Sequence, residues 1–288
     1  MTTAFVLSGG ASLGSIQVGM LEALYEHDVA PDLIVGTSVG AVNAAYIASR
    51  PPTVETARRL AQIWRSVRRS DVFPTSLVTG LIGFIGRADH VVSQRNLRRL
   101  VSRYVDVDAL EDTRIPLHVI AADLANGREM RLSRGPAVDA VMASAAIPGV
   151  FPPVEWEGHD LIDGGVVNNA PISHALDLGA DEVYVLPTGY SCSLQEEPTG
   201  ALGILLQAMT LLIQQRLVIE VEVLRARAPL YVLPPPCPLN VQPIDFSQAA
   251  MLIERSREDA RRFLAEMAAG TTAQRASRHV ERLRPHSH

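Results

Sequence analysis

The chain opens with Thr3-Ala4-Phe5-Val6-Leu7-Ser8-Gly9-Gly10-Ala11-Ser12-Leu13-Gly14, followed by Ser15-Ile16-Gln17-Val18 and a helical run to Glu26. Five residues of mostly apolar, strand-favouring character give way to a glycine-rich turn and then to apolar residues at helical spacing, Val18, Leu21, Ala23 and Leu24. The same order recurs at once: 32–35 (DLIV) reads as a buried strand, Gly36-Thr37-Ser38-Val39-Gly40 as a tight turn, and Val39–Ala48 as a short apolar helix. Two successive strand–turn–helix units set the expectation of an α/β fold with a mainly parallel sheet flanked by helices.

Working outward, 116–122, 182–187 and 229–233 read as further buried strands, rich in Val, Ile and Leu and bounded by Gly, Pro or Asp. Helices are expected over 53–68, 94–103, 171–178 and about 247–269. There is no internal repeat and no linker long enough to separate two domains. The reading is one domain over 1–269 and a disordered tail over 270–288, where the pattern dissolves into Thr, Arg and His.

At 288 residues the chain can bury about three quarters of its unfolded surface and needs neither disulfides nor a metal to hold a core. Its 26 basic and 31 acidic side chains leave a net charge of −5, which excludes the basic footprint of a nucleic-acid binder. Cys192 and Cys237 show no CxxC or metal-ligand spacing, so the expectation is two unpaired thiols in a reducing compartment and no metal site. The N-terminus runs straight into a strand, without the charged and apolar regions of a secretory signal. The two most apolar stretches, 76–86 and 201–213, fall short of the ~20 residues of a spanning helix. A cytoplasmic protein able to touch a membrane surface is expected. For 201–213 a buried core helix competes with a lipid-facing one, and for 76–86 a core segment or loop competes with a flap over the site. The arginine-rich stretches 65–69 and 95–103 read as solvated helix faces that could also attract anionic lipid.

Three features carry chemistry. The Gly9–Gly14 turn can direct backbone N–H groups at an anion. It serves a dinucleotide poorly, since Ala11 occupies the middle glycine position and no acid ends the second strand. An oxyanion hole or a plain tight turn remains. Gly36-x-Ser38-x-Gly40 fits a nucleophile elbow, with the glycines giving room for a serine hydroxyl lifted above the strand end. Both turns follow parallel strands and so lie at the carboxyl edge of the sheet, where open α/β folds bind ligands. A nucleophilic serine needs a base, yet His27, His90, His118, His159, His174, His279, His286 and His288 all lack a recognisable catalytic context. The third feature is Asp160-Leu161-Ile162-Asp163-Gly164-Gly165, either a turn or a carboxylate made basic by burial.

In this order the SGGxxxG turn, the GxSxG elbow and the DGG segment resemble the patatin-like phospholipases. Ala143-Ser144-Ala145-Ala146-Ile147-Pro148-Gly149-Val150-Phe151-Pro152-Pro153 is similar to that family's ASxAxPxxFPP segment. The resemblance runs from about Ala4 to Pro187. It implies a Ser38–Asp163 dyad, which accounts for the missing histidine. It also implies an oxyanion hole from the amides of Gly9, Gly10 and Ala11, with Gly14, Gly36, Gly40, Gly164 and Gly165 supporting the turns. One departure stands out: Leu13 occupies a position where the family usually carries Arg or Lys, which weakens the case for phosphate-headgroup contact, or for anchoring of the loop, more than for acyl chemistry. The implied activity is hydrolysis of lipid-like acyl esters, of phospholipase A, lysophospholipase or esterase type, without cofactor. The rivals are a non-catalytic lipid-binding or regulatory protein of the same fold and a dinucleotide-binding enzyme.

Overall fold

The structure is a computed structural model that describes residues 1–73, 92–189, 200–237, 239 and 241–269. The stretches 76–86 and 270–288 lie outside the described residues. Strand β1 (Thr3–Leu7) leads through a single 3-10 turn (Ala11–Leu13) into α1 (Gly14–Glu26). Strand β2 (Leu33–Thr37) leads through Ser38 into α2 (Val39–Ala48). Helices α3 (Val54–Ser66), α4 (Arg69–Val72) and α5 (Arg95–Tyr104) precede β3 (Leu117–Asp123) and β4 (Glu129–Leu132). Then come α6 (Ala137–Ser144), β5 (Val154–Trp156), β6 (His159–Asp163), α7 (Ile172–Asp177) and β7 (Glu182–Leu186). The chain continues through α8 (Gly200–Leu224), β8 (Leu230–Val232) and α9 (Ala249–Ala269).

All eight strands join one sheet in the order β5-β6-β3-β2-β1-β7-β8, with β4 paired to β3. The β3-β2-β1-β7-β8 part is parallel throughout, as the repeated strand–turn–helix pattern requires. The β4, β5 and β6 pairings are antiparallel. Helices cover both faces. On one, Leu21 and Leu24 of α1 join Ala44 of α2, Leu60 of α3 and Ile253 of α9 in the larger apolar core. On the other, Ile172 of α7 and Leu217 and Val221 of α8 cover Val6, Val35 and Val185. Because α1 lies between the sheet and two helices, its residues from Gly14 to Tyr25 are buried. Even its Glu22 is inside, neutralised by Arg58 and Arg257, each at 3.1 Å.

One detail of register positions the site. Strand β2 pairs with β3 as far as Thr37 opposite Ile120, and β6 pairs with β3 from Asp163 opposite Ala121 onward. Strand β4 faces both Ile120 and Ala121, so it occupies the other edge of β3. Strands β2 and β6 therefore share one edge and meet head to head, one running up and the other down. Their tips are Thr37-Ser38 and Asp163.

Cys237 is disulfide-bonded, against the expectation of unpaired thiols; Cys192 lies outside the described residues. Sequence spacing is silent about which loops fold together, and a reducing compartment loses the support that unpaired cysteines gave it. No described helix is long and apolar enough to cross a membrane.

Candidate active site

Ser38 caps the N-terminus of α2 with φ 55° and ψ −126°, a conformation that costs a non-glycine residue roughly 1–3 kcal/mol. The surroundings hold it there. Its N–H donates to Ser144 Oγ at 2.8 Å, and Ser144 in turn donates to the Ile120 carbonyl at 2.5 Å. Its own carbonyl accepts the N–H groups of Ala41 and Val42. Gly40 is needed because a Cβ there would run into the Leu7 carbonyl, so α2 could not start this close to β1. Ser144, part of the 143–153 segment, thus positions the elbow, a role its place in that segment gave no hint of.

The Ser38 hydroxyl donates to Asp163 Oδ2 at 2.6 Å, and the Gly165 N–H donates to Asp163 Oδ1 at 2.7 Å. Both side chains are buried, at 6% exposure each. Burial pushes the Asp163 carboxyl up to about 6, with the Ser38 and Gly165 hydrogen bonds pulling the other way. Such a group is ionised at neutral pH yet far more basic than an exposed aspartate. No cation offsets its charge among the described residues.

The glycine-rich turn stands beside this pair. A Cβ on Gly9 would lie 3.0 Å from Ser38 Cβ and collide with Asn169, which is why the turn can pass so close to the serine. The Gly9 N–H, expected to face an anion, donates instead to the Asn169 carbonyl at 3.2 Å. The Ser12 N–H goes to Pro243 O and that of Leu13 to Gly10 O. The Gly10 and Ala11 amides have no hydrogen-bond acceptor among the described residues. Ala11 sits at φ 50°, another positive angle on a residue with a side chain. Behind the turn is a buried polar network absent from the sequence reading. Thr188 Oγ1 donates to the Gly9 carbonyl at 2.6 Å, and Gln17 Nε2 donates to the carbonyls of Ser8 and Leu186. Asn43 Nδ2 bonds Gln17 and the Gly14 carbonyl, and Trp64 Nε1 donates to Asn43 Oδ1 at 2.9 Å. Gln17 and Asn43 are polar residues in otherwise apolar helices, and that mismatch is the one signal the sequence offered; Thr188 and Trp64 gave none. Leu13 is half-buried against the larger core and Gly14 packs on Val39 and Trp64, while Gly36 lies against Ala41 and Gly164 against the Ile120 carbonyl.

From Ser38 and Ala11 an apolar channel runs between α2, α3, α4 and α5, walled by Val42, Leu60, Trp64, Leu97, Leu100 and Phe151 among others. With the space open at its mouth it measures about 790 Å³. The described histidines bond elsewhere: His27 to the Ala23 carbonyl, His118 to Ser133, His159 to Asp123 and His174 to Glu129. Among the described residues no three His, Cys, Asp or Glu side chains converge as a metal ion would need.

The fold is thus an α/β sheet with a Gly-x-Ser-x-Gly elbow ending its second strand and an aspartate-glycine-glycine turn at the tip of the strand facing it. The sequence matches the patatin-like phospholipase family over residues 5–176, and the chain belongs to that family. Similar proteins include the lysophospholipase nte1 of Aspergillus terreus, 28% identical over 191 residues, covering 64% of this chain and 12% of that protein. Human patatin-like phospholipase domain-containing protein 6 is 32% identical over 194 residues, covering 65% of this chain and 13% of its own length. The chain thus spans about an eighth of the length of these relatives. Among solved structures, VipD from Legionella pneumophila aligns at a TM-score of 0.42 and 14% identity, covering 90% of this chain and 67% of that one.

Proposed function

We propose that the protein is a serine acyl-ester hydrolase of lipid-like substrates working through a Ser38–Asp163 dyad. Asp163 takes the hydroxyl proton as Ser38 Oγ attacks the ester carbonyl. The oxyanion is received by the amides of Gly10 and Ala11, with Gly9 spent on holding the turn to Asn169. Collapse returns the proton to the leaving alcohol and leaves an acyl-serine. A water then gives its proton to Asp163, attacks the acyl-serine and releases the fatty acid, and the proton passes back to Ser38. The acyl chain lies in the apolar channel that begins at Ser38. The encounter takes place at a lipid surface, where the exposed Leu212, Ile219 and Val223 lie along one stripe of α8.

The observation that carries this reading is the 2.6 Å contact between two buried side chains, a strained serine and an aspartate with no cation beside it among the described residues. A fluorophosphonate probe tests it. Wild-type protein should be labelled and should hydrolyse p-nitrophenyl esters, and Ser38→Ala should lose both while melting at nearly the same temperature. Labelling that persists in Ser38→Ala, or more than about a tenth of wild-type turnover, sinks the assignment, because a lost nucleophile costs several powers of ten. A wild-type protein that binds lipid but takes no label would be the non-catalytic alternative.

A further inference from the structure

The helices that line the channel supply a scale for its length. On α2 the residues facing it are Val39, Val42, Asn43 and Tyr46, one face of a helix that begins at Ser38. Tyr46 stands two turns beyond the serine, which at the helical rise is about 12 Å. On α5 the lining runs from Leu97 to Tyr104, and on α3 from Leu60 to Val67, about 10 Å in each case. Three helices agree on an apolar passage about two turns long.

The end away from Ser38 is closed. Tyr46, Val101 and Val105 line it and are buried, at 5%, 1% and 6% exposure. The next residue on that face of α2 is Arg50, which does not line the channel but braces its end. The Arg50 Cζ lies 3.9 Å over the Tyr46 ring, and one terminal nitrogen donates to the Tyr46 carbonyl at 2.8 Å. The other donates to the Tyr104 carbonyl at 3.1 Å and to Asp106 at 3.0 Å. One guanidinium thus ties the last turn of α2 to the end of α5 and holds the Tyr46 ring between them. Asp106 is exposed, so the protein surface lies just past this brace. An acyl chain advancing from Ser38 along α2 meets the Tyr46 ring before it can reach solvent there.

C–C bonds of about 1.5 Å advance an extended chain by about 1.3 Å per carbon, so the span from Ser38 to Tyr46 would hold about nine carbons. A helical side chain leans toward the helix N-terminus, so the Tyr46 ring takes the last of that span and leaves about eight. We propose that Tyr46, braced by Arg50, gauges the acyl chain, and that the preferred ester carries an acyl group of about eight carbons. The inference rests on the hydrolase reading and adds to it which acyl group the channel accepts. Each methylene up to that length leaves water for an apolar wall, a gain of about fourfold in affinity. Each one beyond it must stay in water or push the ring off its stack, and gains nothing.

The test is a series of p-nitrophenyl esters with acyl groups of four to twelve carbons, in one fixed excess of neutral detergent. In the wild type kcat/KM should peak near eight carbons and fall about tenfold by twelve. Tyr46→Ala should carry the peak to twelve or beyond, raising the ratio of the twelve- to the eight-carbon ester about tenfold or more. Val42→Phe sets a ring one turn nearer Ser38 and should bring the peak down to about four carbons, since a turn is about 5.4 Å. In parallel, calorimetry measures binding of n-alkanols of six to twelve carbons, which needs no hydrolysis. Wild-type affinity should climb about fourfold per carbon and level off near eight carbons, and in Tyr46→Ala it should go on climbing. A wild-type rate or affinity that still climbs from eight to twelve carbons overturns the gauge, and so does a Tyr46→Ala profile with its peak unmoved. Should Tyr46→Ala fail to fold, Val42→Phe decides, and an unmoved peak there overturns the proposal. If the wild type hydrolyses none of the esters the dyad reading fails, and the alkanol series still decides the gauge.

Discussion

On the proposed mechanism Asp163→Asn should abolish ester hydrolysis and stabilise the protein in the same stroke, with a pH dependence that identifies the cause. The carboxyl is raised from the ordinary 3.8 to about 6 by burial. At ~1.4 kcal/mol for each pH unit, this is a penalty of ~3 kcal/mol carried by the folded protein whenever the group is ionised. The sign follows from the raised value: the folded state holds the proton more tightly than the unfolded one. The penalty is therefore absent below about pH 4, grows as pH rises towards 6, and is complete above it. Asparagine is never ionised. Its oxygen can still accept the Gly165 N–H, and its amide can donate to Ser38 Oγ, reversing that hydrogen bond. Part of the gain is offset by burying the amide, which leaves ~1–3 kcal/mol. For a chain of this size that is a melting-temperature rise of roughly 3–8 °C at pH 8. At pH 4, where the ionisation penalty is gone and the amide cost remains, the variant should melt level with the wild type or a few degrees below it.

Turnover should meanwhile fall by at least ~10²–10⁴-fold, because the amide cannot accept a proton. Scanning calorimetry at pH 4 and pH 8, p-nitrophenyl ester kinetics and a circular dichroism spectrum make the complete assay. A folded variant with near-normal turnover would return Asp163 to a turn residue. A variant that loses activity without the pH-dependent gain in stability would refute the account of why the carboxylate is basic.

Four further outcomes follow from the same geometry. The kcat/KM of the wild type should climb about tenfold per pH unit below 6 and level off above it, as Asp163 becomes free to take a proton; a flat profile from pH 4.5 to 7.5 contradicts this. His174→Ala should leave turnover within a few-fold of wild type, since His174 bonds Glu129 at 2.8 Å, and a loss near a thousand-fold in a folded variant would restore a triad. Thr188→Val removes the 2.6 Å bond to the Gly9 carbonyl and should lower kcat by ~10-fold or more with KM little changed, read from steady-state kinetics. Leu100→Trp narrows the channel and should shift the preferred p-nitrophenyl ester towards shorter chains; an unaltered chain-length profile would mean the acyl group lies elsewhere.

Much of the sheet was legible because parallel strands buried on both faces leave continuous apolar runs, and Phe5, Ile34, Ile120 and Val185 stand in such runs. Strands β4, β5 and β6 were not legible. At three to five residues with polar positions such as Glu129, Glu155 and Asp160, they lack both length and period, and only pairing with β3 and with each other makes them strands. The site divides the same way. The elbow and the glycine-rich turn were readable from local chain chemistry. The partner of Ser38 was not, because 125 residues separate it from Asp163 and the resemblance alone linked them. The hydrogen bond of the Gly9 amide was hidden for a related reason: its acceptor is a carbonyl 160 residues away. The buried bonds of Thr188, Gln17 and Trp64 are likewise tertiary products that no window of sequence contains.

The buried carboxylates of the protein differ in how their charge is met. Glu22, at 2% exposure, lies between two arginines, and Asp123, equally buried, accepts from His159 and from the Ala125 N–H. Both are arranged as stability alone would arrange them, with each charge met by donors that suit it. Asp163 is as deeply placed and receives one amide and one hydroxyl. Its neighbour Ser38 is held at an unfavourable φ, and Ala11 across the turn is held at another. A sequence selected only to fold would have relieved all three, by a glycine at 38 or 11 or by an uncharged residue at 163. The departures meet at one point, the end of an apolar channel with two amides left unbonded among the described residues. Their common product is a hydroxyl whose proton has somewhere to go. In most serine hydrolases an imidazole supplies that destination. In the proposed dyad the head-to-head meeting of β2 and β6 supplies it instead, by setting a buried carboxylate against the serine hydroxyl.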